Sequence, residues 1–453
     1  MNNKPHYIVI AAILSLLLCN RAAGQTNGFV QTDNIKVAGV TTDAQINPLT
    51  TYHRQTTIVY YDGLNRPLQA IAEQASPGGK DVIQPVYYDT LGRQTISYLP
   101  YSDESGSYAT GAYRSNALSG GQSGFYNQTG QYLVPVDSEP FSSRVFEKTP
   151  LQRLLDAGMV GNGFQPTSGK YKTVNYRPNN STTDGGILLW TWNGTTYTTS
   201  ATTTYANNSL WVTDATDEDG VETRAFADLE GHMVLKRQIL SSGNLDTYYI
   251  YNNAGMVAYI IPPLATTNLS GVSYILTASP VVNMVYSFIY DTMGRLIQKT
   301  VPAKGIVSIV YDPFNRPLLS QDANMNAKDE WYYIKYDAKG RAIGTGIYTD
   351  VSHSTQAEMQ SYVNSLAWAY YFEIRSTTKT DSGYYTNNVF PNSGISPLSW
   401  AYYDNYNMKD GSTADFSFST TQLAGDTVTT APVKGMPTIS VQTVVGSGIA
   451  ATT

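Results

Sequence analysis

The heptapeptide Tyr290-Asp291-Thr292-Met293-Gly294-Arg295-Leu296 is the clearest copy of a motif that recurs along the chain. An Asp that opens a type I turn can accept hydrogen bonds from the turn's own N–H groups. The residue three places later needs a positive φ if the chain is to reverse into a hairpin. Gly adopts that conformation without steric cost, and Asn is the next best residue. The spacing therefore predicts a β-hairpin capped by Asp291, with Gly294 in the left-handed position.

Five good copies share Tyr-Asp, two variable residues, Gly or Asn, and then Arg. We predict a structural turn role for Tyr61, Asp62, Asn65 and Arg66; Tyr88, Asp89, Gly92 and Arg93; Tyr290, Asp291, Gly294 and Arg295; Tyr311, Asp312, Asn315 and Arg316; and Tyr336, Asp337, Gly340 and Arg341. Three looser copies begin at Ala227, Tyr251 and Tyr403 and place Gly231, Gly255 and Asn407 at the positive-φ position. Asp217 and Gly220 form one further bare turn.

Successive turns lie close enough in sequence to form stacked units. Asp291, Asp312 and Asp337 are 21 and 25 residues apart, and alternating strand segments such as residues 306–311 flank the turns. A repeat of this length indicates units that bury their faces only against neighbours. A prior of about 150 residues per domain would give about three domains for this chain, and the repeat replaces that estimate with one array.

The composition agrees with a large β-rich protein. The chain has 453 residues, of which 36 are Tyr and 37 are Gly, while charged residues make up only 14%. So little charge excludes a long solvated helix or coiled coil, and so many aromatic residues exclude a disordered chain. The net charge of −6 argues against a nucleic-acid partner.

These units resemble the YD repeats of Rhs-type and teneurin-like proteins, whose motif is close to Y-D-x-x-G-R-L. Residues 57–100 also resemble a domain of unknown function found near the N-terminus of many secreted bacterial Rhs-like proteins. The resemblance covers residues 50–110 and 205–350 well and the remainder poorly. It implies a mainly β fold, with YD-repeat hairpins in a spiral or shell-like antiparallel sheet. In relatives the repeats enclose a C-terminal effector, often a toxin, or form an adhesive surface.

The N-terminus predicts a secretory signal peptide over residues 1–24. Lys4 supplies a short basic region, residues 7–18 are apolar apart from Ser15, and Gly24 is a small residue before the expected cleavage point. Because the single cysteine, Cys19, lies in this segment, the mature chain has no thiol for disulfides or metal binding. We expect a secreted or outer cell-surface protein with no transmembrane segment after signal removal.

Beyond the signal peptide we divide the chain into five regions. They are an N-terminal linker at 25–50, a YD-like domain of unknown function at 51–110, an irregular β-rich insert at 111–204, the YD-repeat region at 205–350, and a helix plus a Thr/Gly-rich C-terminal segment at 351–453. No Rhs-associated core or effector follows the repeats, so we expect part of a longer protein, a truncated product or a small cell-surface module.

Capping signals predict two short helices. The first has Thr149 as N-cap, Pro150 at the first helical position and Gly158 just past its end, with Leu151, Leu154 and Leu155 facing the core. The second runs from Gln356 to about Phe372, where Thr355 and Glu358 form a capping box. Its core-facing side chains are Met359, Val363, Leu366 and Ala367.

No residue pattern points to catalysis or a cofactor, and no metal site is assigned. The histidines outside the signal segment (His53, His232 and His353) lack zinc-ligand spacing and are interpreted as isolated surface residues. Asp214, Asp217 and Asp219 resemble a calcium loop, but the EF-hand frame fails, which leaves open a weak calcium site at Asp217 and Asp219. The repeated Asp residues are interpreted as turn caps, and the repeated Arg residues as covering aromatic faces or pairing with acids.

The sequence therefore predicts a non-catalytic, secreted YD-repeat scaffold that is part of an Rhs-like polymorphic toxin or cell-surface system. The expected partners are a C-terminal effector encoded downstream or another surface protein. The alternative is an extracellular carbohydrate- or protein-binding module that uses its Tyr-rich hairpins, and a polysaccharide hydrolase ranks third.

Overall fold

The computed structural model describes residues 28–40, 42–102, 110–128, 134–380, 383–410 and 433–443. The predicted signal peptide, including Cys19, lies outside these ranges. Within them the chain is mainly β, which confirms the predicted fold class, and the helices are short. The part of the chain that is described contains no helix long and apolar enough to cross a membrane.

The strands follow one another along nearly the whole described chain. In order they are β1 (Phe29–Ile35), β2 (Arg54–Tyr61), β3 (Pro67–Ala72), β4 (Val82–Pro85), β5 (Ile96–Tyr98), β6 (Tyr101–Ser102), β7 (Phe141–Phe146), β8 (Leu154–Gly158), β9 (Lys172–Pro178), β10 (Thr191–Trp192), β11 (Tyr197–Thr198), β12 (Trp211–Thr216), β13 (Glu222–Ala227), β14 (Met233–Ile239), β15 (Leu245–Tyr251), β16 (Val257–Ile261), β17 (Tyr286–Tyr290), β18 (Leu296–Val301), β19 (Gly305–Tyr311), β20 (Pro317–Gln321), β21 (Glu330–Tyr336), β22 (Ala342–Thr349), β23 (Arg375–Thr380), β24 (Gly383–Tyr385), β25 (Ile395–Tyr403) and β26 (Pro437–Gln442).

The helices interrupt this succession only briefly. They are α1 (Asp43–Ile46), α2 (Gln122–Tyr126), α3 (Ser181–Asp184), α4 (Pro263–Asn268), α5 (Ala323–Asn326) and α6 (Gln356–Ser365). A π-helical turn at Ala117–Gly121 precedes α2, and short 3-10 turns occur at Asn162–Phe164, Ser270–Val272 and Val281–Asn283.

Most of the strands belong to two antiparallel sheets. The smaller has the order β1-β2-β3-β4-β6. In the larger, hydrogen-bonded pairs run from β5 through β7, β8 and β9 to β12, then through every strand to β22, and end at β25 and β26. Among the described residues no ladder joins β26 to β5, so this sheet is open. The pairs β10–β11 and β23–β24 stand apart from it.

The hairpins at Tyr61, Tyr251, Tyr290, Tyr311, Tyr336 and Tyr403 share one local geometry. In the hairpin of β17 and β18, Ile289 pairs with Gln298 and Tyr290 pairs with Leu296, so the register shifts at the tyrosine. The same shift occurs at Tyr61, Tyr251, Tyr311, Tyr336 and Tyr403. A β-turn followed by a left-handed residue and a bulge produces this register.

Separate apolar clusters are buried under the sheets. Phe226, Leu235 and Ile261 from the large sheet pack with Ala265 of α4 in one cluster. Trp331 and Tyr333 of β21 pack with Met359 and Val363 of α6 in another. Both clusters combine several hairpins with a helix, so the hairpins that supply them bury their apolar faces against other parts of the chain.

The second predicted helix begins as expected but ends early. Thr355 and Glu358 form the capping box, and Met359 and Val363 are buried. The helix stops at Ser365 because Leu366 takes an extended conformation (φ −67°, ψ 138°). Ala367 is exposed, so the prediction that the helix reaches Phe372 was wrong.

The first predicted helix does not form. Residues 154–158 are strand β8, in which Leu154 pairs with Phe146 of β7. The Glu147 carboxylate accepts hydrogen bonds from Arg153 Nε and Nη2 at 3.0 and 2.9 Å. Cross-strand pairing and this ion pair outweigh the local helix signals at Thr149 and Pro150, because isolated short helices are marginal in water.

Candidate functional site

The Asp of each good copy closes its own turn. Asp291 Oδ1 accepts the backbone N–H groups of Met293 and Arg295, both at 2.9 Å. The Gly294 N–H donates to the Asp291 carbonyl at 3.0 Å, and Gly294 has a φ of 78°. Asp62, Asp89, Asp312 and Asp337 make the same bonds, with Asn65, Gly92, Asn315 and Gly340 at positive φ.

The second oxygen of the same Asp holds the Arg that follows the turn. Arg295 Nε donates to Asp291 Oδ2 at 2.6 Å, and Arg66 Nε donates to Asp62 Oδ2 at 2.8 Å. The backbone N–H of Arg66, followed by its guanidinium, lowers the pKa of the Asp62 carboxyl. Arg93, Arg316 and Arg341 bind Asp89, Asp312 and Asp337 in the same way.

The held guanidinium then covers the aromatic ring of the next hairpin. We call the Asp and Arg of one hairpin, together with the ring of the next, a rung. The distances from Cζ to the ring centroid are 4.5 Å for Arg66 over Tyr88, 5.1 Å for Arg93 over Phe146, 4.6 Å for Arg295 over Tyr311, 4.5 Å for Arg316 over Tyr336 and 4.3 Å for Arg341 over Tyr403. These contacts are within the range of a cation–π interaction.

The tyrosine of a rung also bonds back to the preceding hairpin. Tyr311 Oη donates to the Leu296 carbonyl at 2.9 Å, and Tyr336 Oη donates to the Pro317 carbonyl at 2.7 Å. Tyr290 and Tyr403 make equivalent bonds to Val257 and Ala342. In the copies at Tyr290, Tyr311 and Tyr336 the Tyr, Asp, Gly and Arg positions each make a defined hydrogen bond. The Tyr and Arg contacts couple neighbouring hairpins.

One rung was missed because two extra residues disguise it. Glu147 and Arg153 replace Asp and Arg, Gln152 takes the left-handed conformation (φ 49°), and Arg153 Cζ lies 4.4 Å from the Tyr176 ring centroid. The bonds from Arg153, and one from Thr149, lower the pKa of Glu147 to about 2. The signal available in the sequence was an aromatic–acidic pair, Phe146-Glu147, followed by Arg153-Leu154.

The looser copy at Tyr403 closes with a residue far along the chain. Tyr403 pairs with Pro437, and the Gly435 N–H donates to Asp404 Oδ1 at 2.7 Å. Gly435, with a φ of 91°, takes the left-handed position. The prediction that Asn407 would take it was wrong, because the strand that pairs with β25 begins only after an insertion.

The looser copy at Ala227 departs from the others in a different way. Asp228 Oδ1 accepts the N–H groups of Glu230 and His232 at 3.0 and 2.8 Å, so the turn is retained. His232 stands where the other copies have Arg, and its Nδ1 lies 3.2 Å from Asp228 Oδ2. The imidazole stacks on Tyr251 with a centroid distance of 4.6 Å. The prediction that His232 is an isolated surface residue was therefore wrong, because its ring contacts both Asp228 and Tyr251.

A cleft of about 580 Å³ opens beside this altered rung. The turn between β13 and β14 contributes Asp228, Glu230 and His232, and β15 with its following turn contributes Tyr249–Gly255. Leu188, Trp190 and Tyr205 come from the segment between β9 and β12, which folds over the sheet. We call this the His232 cleft, and we take it as the candidate functional site.

The His232 cleft is aromatic and acidic. Burial, followed by the charges of Asp228 and Glu230, raises the pKa of Tyr205 to about 12. No Lys or Arg lines the cleft in the part of the chain that is described. Asp228, Glu230 and His232 place their ligand atoms within 4.8 Å of one another, and they form the one group of three metal-type ligands found in the described ranges.

Sequence reasoning missed this site because its walls meet only in the folded chain. The local signal had two parts. This copy of the turn has His232 where the good copies have Arg, and it has Glu230 at a position that is Leu, Met or Phe in four of the good copies. Trp190 and Tyr205 precede Asp228 in the chain by 38 and 23 residues, and no motif links them to it.

The remaining predicted site residues lie elsewhere. Asp214 pairs with Arg177 at 2.7 Å on neighbouring strands, away from the suggested calcium loop. Asp217 Oδ1 accepts the N–H groups of Asp219 and Val221 at 3.1 and 2.8 Å, as a turn cap does. His353 contacts Asp350 and stacks on Tyr362, and His53 lies beside Thr50.

Comparisons with known proteins give a partial match. No curated protein sequence matches the chain significantly. Among solved structures, the chain is similar to a TcdB2-TccC3-Cdc42 crystal structure (13% identity, TM-score 0.44, 92% of this chain and 18% of that chain) and to a Photorhabdus luminescens Tc holotoxin pore (13% identity, TM-score 0.44, 87% and 17%). It spans less than a fifth of either of those chains. Residues 33–178 match the family described as a domain of unknown function, DUF6443, and this region extends beyond the predicted YD-like domain on both sides.

Proposed function

We propose that the chain is a non-catalytic scaffold: a repeat sheet that serves as a structural component of an Rhs-like toxin or cell-surface assembly. The observation that carries this proposal is the rung. Arg295 binds Asp291 of its own turn and covers Tyr311 of the next hairpin, whose hydroxyl bonds back to Leu296. Consecutive hairpins therefore support one another along the sheet.

The rungs leave the repeated acids little capacity for chemistry. In the five good copies, one Asp oxygen accepts two backbone N–H groups and the other accepts an Arg. A general base needs a free oxygen within hydrogen-bond reach of its substrate. This saturation supports a structural role for each repeated Asp.

We further propose that the chain is secreted through its predicted signal peptide at residues 1–24 and that it works with other proteins. One of the solved structures named above is a Tc holotoxin pore, and a toxin complex is one class of assembly that we propose. A C-terminal effector encoded downstream, or another surface protein, is the expected partner.

The proposal is tested by isolating the native chain from the medium or surface of the producing cell. We expect it there in a stoichiometric complex with at least one other protein, and we expect no turnover of common polysaccharides. A variant with the signal segment interrupted by Leu16→Arg should stay inside the cell, whereas Leu16→Ile should be exported normally. A partner-free secreted chain that hydrolyses a polysaccharide would contradict the scaffold role.

A second candidate function is extracellular binding of a carbohydrate or protein. The observation that favours it is the aromatic wall of the His232 cleft, formed by Trp190, Tyr205 and Tyr251. A glycan array tests the carbohydrate form. Binding should be lost in Trp190→Ala and retained in Trp211→Ala, because Trp211 is exposed on β12 away from the cleft.

A further inference from the structure

The rungs show how this fold binds a guanidinium group. In each good copy the Arg side chain lies between the carboxylate of its own turn and the aromatic ring of the next hairpin. Arg295 is 2.6 Å from Asp291 and its Cζ is 4.6 Å from the Tyr311 centroid. The acid and the ring are both present at the His232 cleft, as Asp228 and Tyr251, but the arginine between them is absent.

His232 replaces only part of an arginine. Its imidazole reaches Asp228 and stacks on Tyr251, as the inner part of a guanidinium does. The outer nitrogens of the other arginines reach further: Arg295 Nη1 donates to Asn315 at 2.7 Å in the next turn, and Arg341 donates to Asp404 at 2.9 and 3.0 Å. The next turn after His232, residues 252–255, instead lines the open cleft.

The cleft also holds a second carboxylate that the turns of the good copies lack. Glu230 takes a position occupied by Leu64, Leu91, Met293 or Phe314 in four of the good copies. Its carboxylate lies 3.9 Å from His232 Nδ1, and its side chain is 78% exposed. With Asp228 it gives two carboxylates beside aromatic walls, and no lining Lys or Arg neutralises them in the described ranges.

We propose that the His232 cleft binds an arginine side chain presented by a partner polypeptide, with its guanidinium paired to Glu230, close to the negative charge of Asp228, and packed against the aromatic walls. Arginine is favoured over lysine because its planar fork both stacks on rings and bonds carboxylates. The inference is independent of the scaffold role, since it rests only on the geometry of this cleft.

The size and walls of the cleft favour a polypeptide over a free amino acid. A volume of about 580 Å³ exceeds what one guanidinium needs. Leu188, Val234 and Ile250 give the cleft apolar surface for neighbouring residues of the bound segment. Trp190 adds a further aromatic wall for the same segment.

The test is isothermal titration of the purified chain with three blocked tripeptides, acetyl-Gly-X-Gly-amide, in which X is arginine, citrulline or lysine. Citrulline matches the shape of arginine without its charge. We expect arginine to bind at least about tenfold more tightly than citrulline, because the charge-assisted bonds are lost, and more tightly than lysine. Equal binding of the arginine and citrulline peptides would overturn the proposal.

Two variants locate the site. His232→Arg rebuilds a complete rung, so the chain's own guanidinium should occupy the site and the arginine peptide should no longer bind. Glu230→Gln removes an exposed charge without touching the turn bonds, and it should weaken binding several-fold, whereas Asp219→Asn in the neighbouring turn should not. Unchanged affinity in Glu230→Gln would refute the proposal even if His232→Arg failed to fold.

A divalent cation is the competing occupant, because Asp228, Glu230 and His232 are also metal-type ligands. Titration with Zn²⁺ and with Ca²⁺ separates the two cases. The site would be a metal site instead if either ion bound tightly, if Glu230→Gln abolished that binding, and if the arginine peptide did not bind. Peptide binding that persists in the presence of a chelator supports the proposal.

Discussion

The rung between Arg316 and Tyr336 provides a quantitative test of how the hairpins are coupled. Arg316 Nε donates to Asp312 Oδ2 at 2.7 Å, and its Cζ lies 4.5 Å from the Tyr336 centroid. Asp312 is only 3% exposed, so Arg316→Ala leaves a buried carboxylate without its cation. A charge-assisted hydrogen bond contributes about 1.5–3 kcal/mol, and a cation–π contact adds about 0.5–1 kcal/mol. We therefore expect Arg316→Ala to lower the local unfolding free energy by about 2–4 kcal/mol.

The coupling itself is measured with a double-mutant cycle of Arg316→Ala and Tyr336→Leu. The interaction energy should be about 0.5–1 kcal/mol if the guanidinium and the ring act as a pair. Arg295→Ala with Tyr336→Leu is the control pair, because Arg295 covers Tyr311 instead. Those two changes should be additive.

Hydrogen exchange on the amides of β20 and β21 is the appropriate assay, because long repeat arrays can open locally and need not unfold in a single step. Exchange should accelerate in both strands in Arg316→Ala, although the substitution adjoins only β20. Acceleration confined to β20, or a cycle energy no larger than that of the control pair, would refute the view that rungs transmit stability between hairpins.

Three further predictions concern other parts of the fold. Lys335 (3% exposed) and Glu373 (fully buried) form an ion pair at 2.8 Å. Lys335→Met alone should lower the free energy of unfolding, measured by heat or denaturant, by about 3–5 kcal/mol, and adding Glu373→Leu should restore much of that loss. A Lys335→Met variant as stable as the wild type would contradict this. The pKa of Glu147 is lowered to about 2 in the folded state, so its stabilisation is present above the unfolded pKa and disappears as the pH falls from about 4.5 towards about 2. The protection factors of the β7 and β8 amides, each taken relative to the intrinsic exchange rate at that pH, should therefore fall over this range, and less so in Glu147→Gln. Gly294→Ala places a side chain at a φ of 78° and should lower the free energy of unfolding by about 1 kcal/mol. Gly63→Ala, which lies in open space and has no positive φ, should leave the free energy of unfolding nearly unchanged.

The turn chemistry was predictable from the sequence because it is local. Asp291 binds N–H groups two and four residues away, and Gly294 needs its left-handed conformation whatever surrounds it. The same reasoning identified the N-terminus of α6, where Thr355 and Glu358 are three residues apart. Interactions over such short spans are written directly in the order of residues.

Prediction failed where distant segments decide the outcome. The helix signals at Thr149 and Pro150 lost to pairing of Phe146 with Leu154. Helix α6 ends at Ser365, and the chain continues until Glu373 reaches the buried ammonium of Lys335, 38 residues earlier. The free-energy cost of burying a charge is offset only when its oppositely charged partner is in place. No local sequence pattern shows which distant residue that partner is.

The sequence by itself determined a β-rich array of Asp-capped hairpins, because each cap, left-handed residue and strand alternation acts within about five residues. The tertiary structure decided what the repeated Arg and Tyr side chains do, since every rung joins two hairpins. It also decided the His232 cleft, which exists because the segment carrying Trp190 and Tyr205 folds over the sheet beside the altered turn. Burial and the meeting of distant charges depend on the whole chain, and the order of residues alone does not contain them.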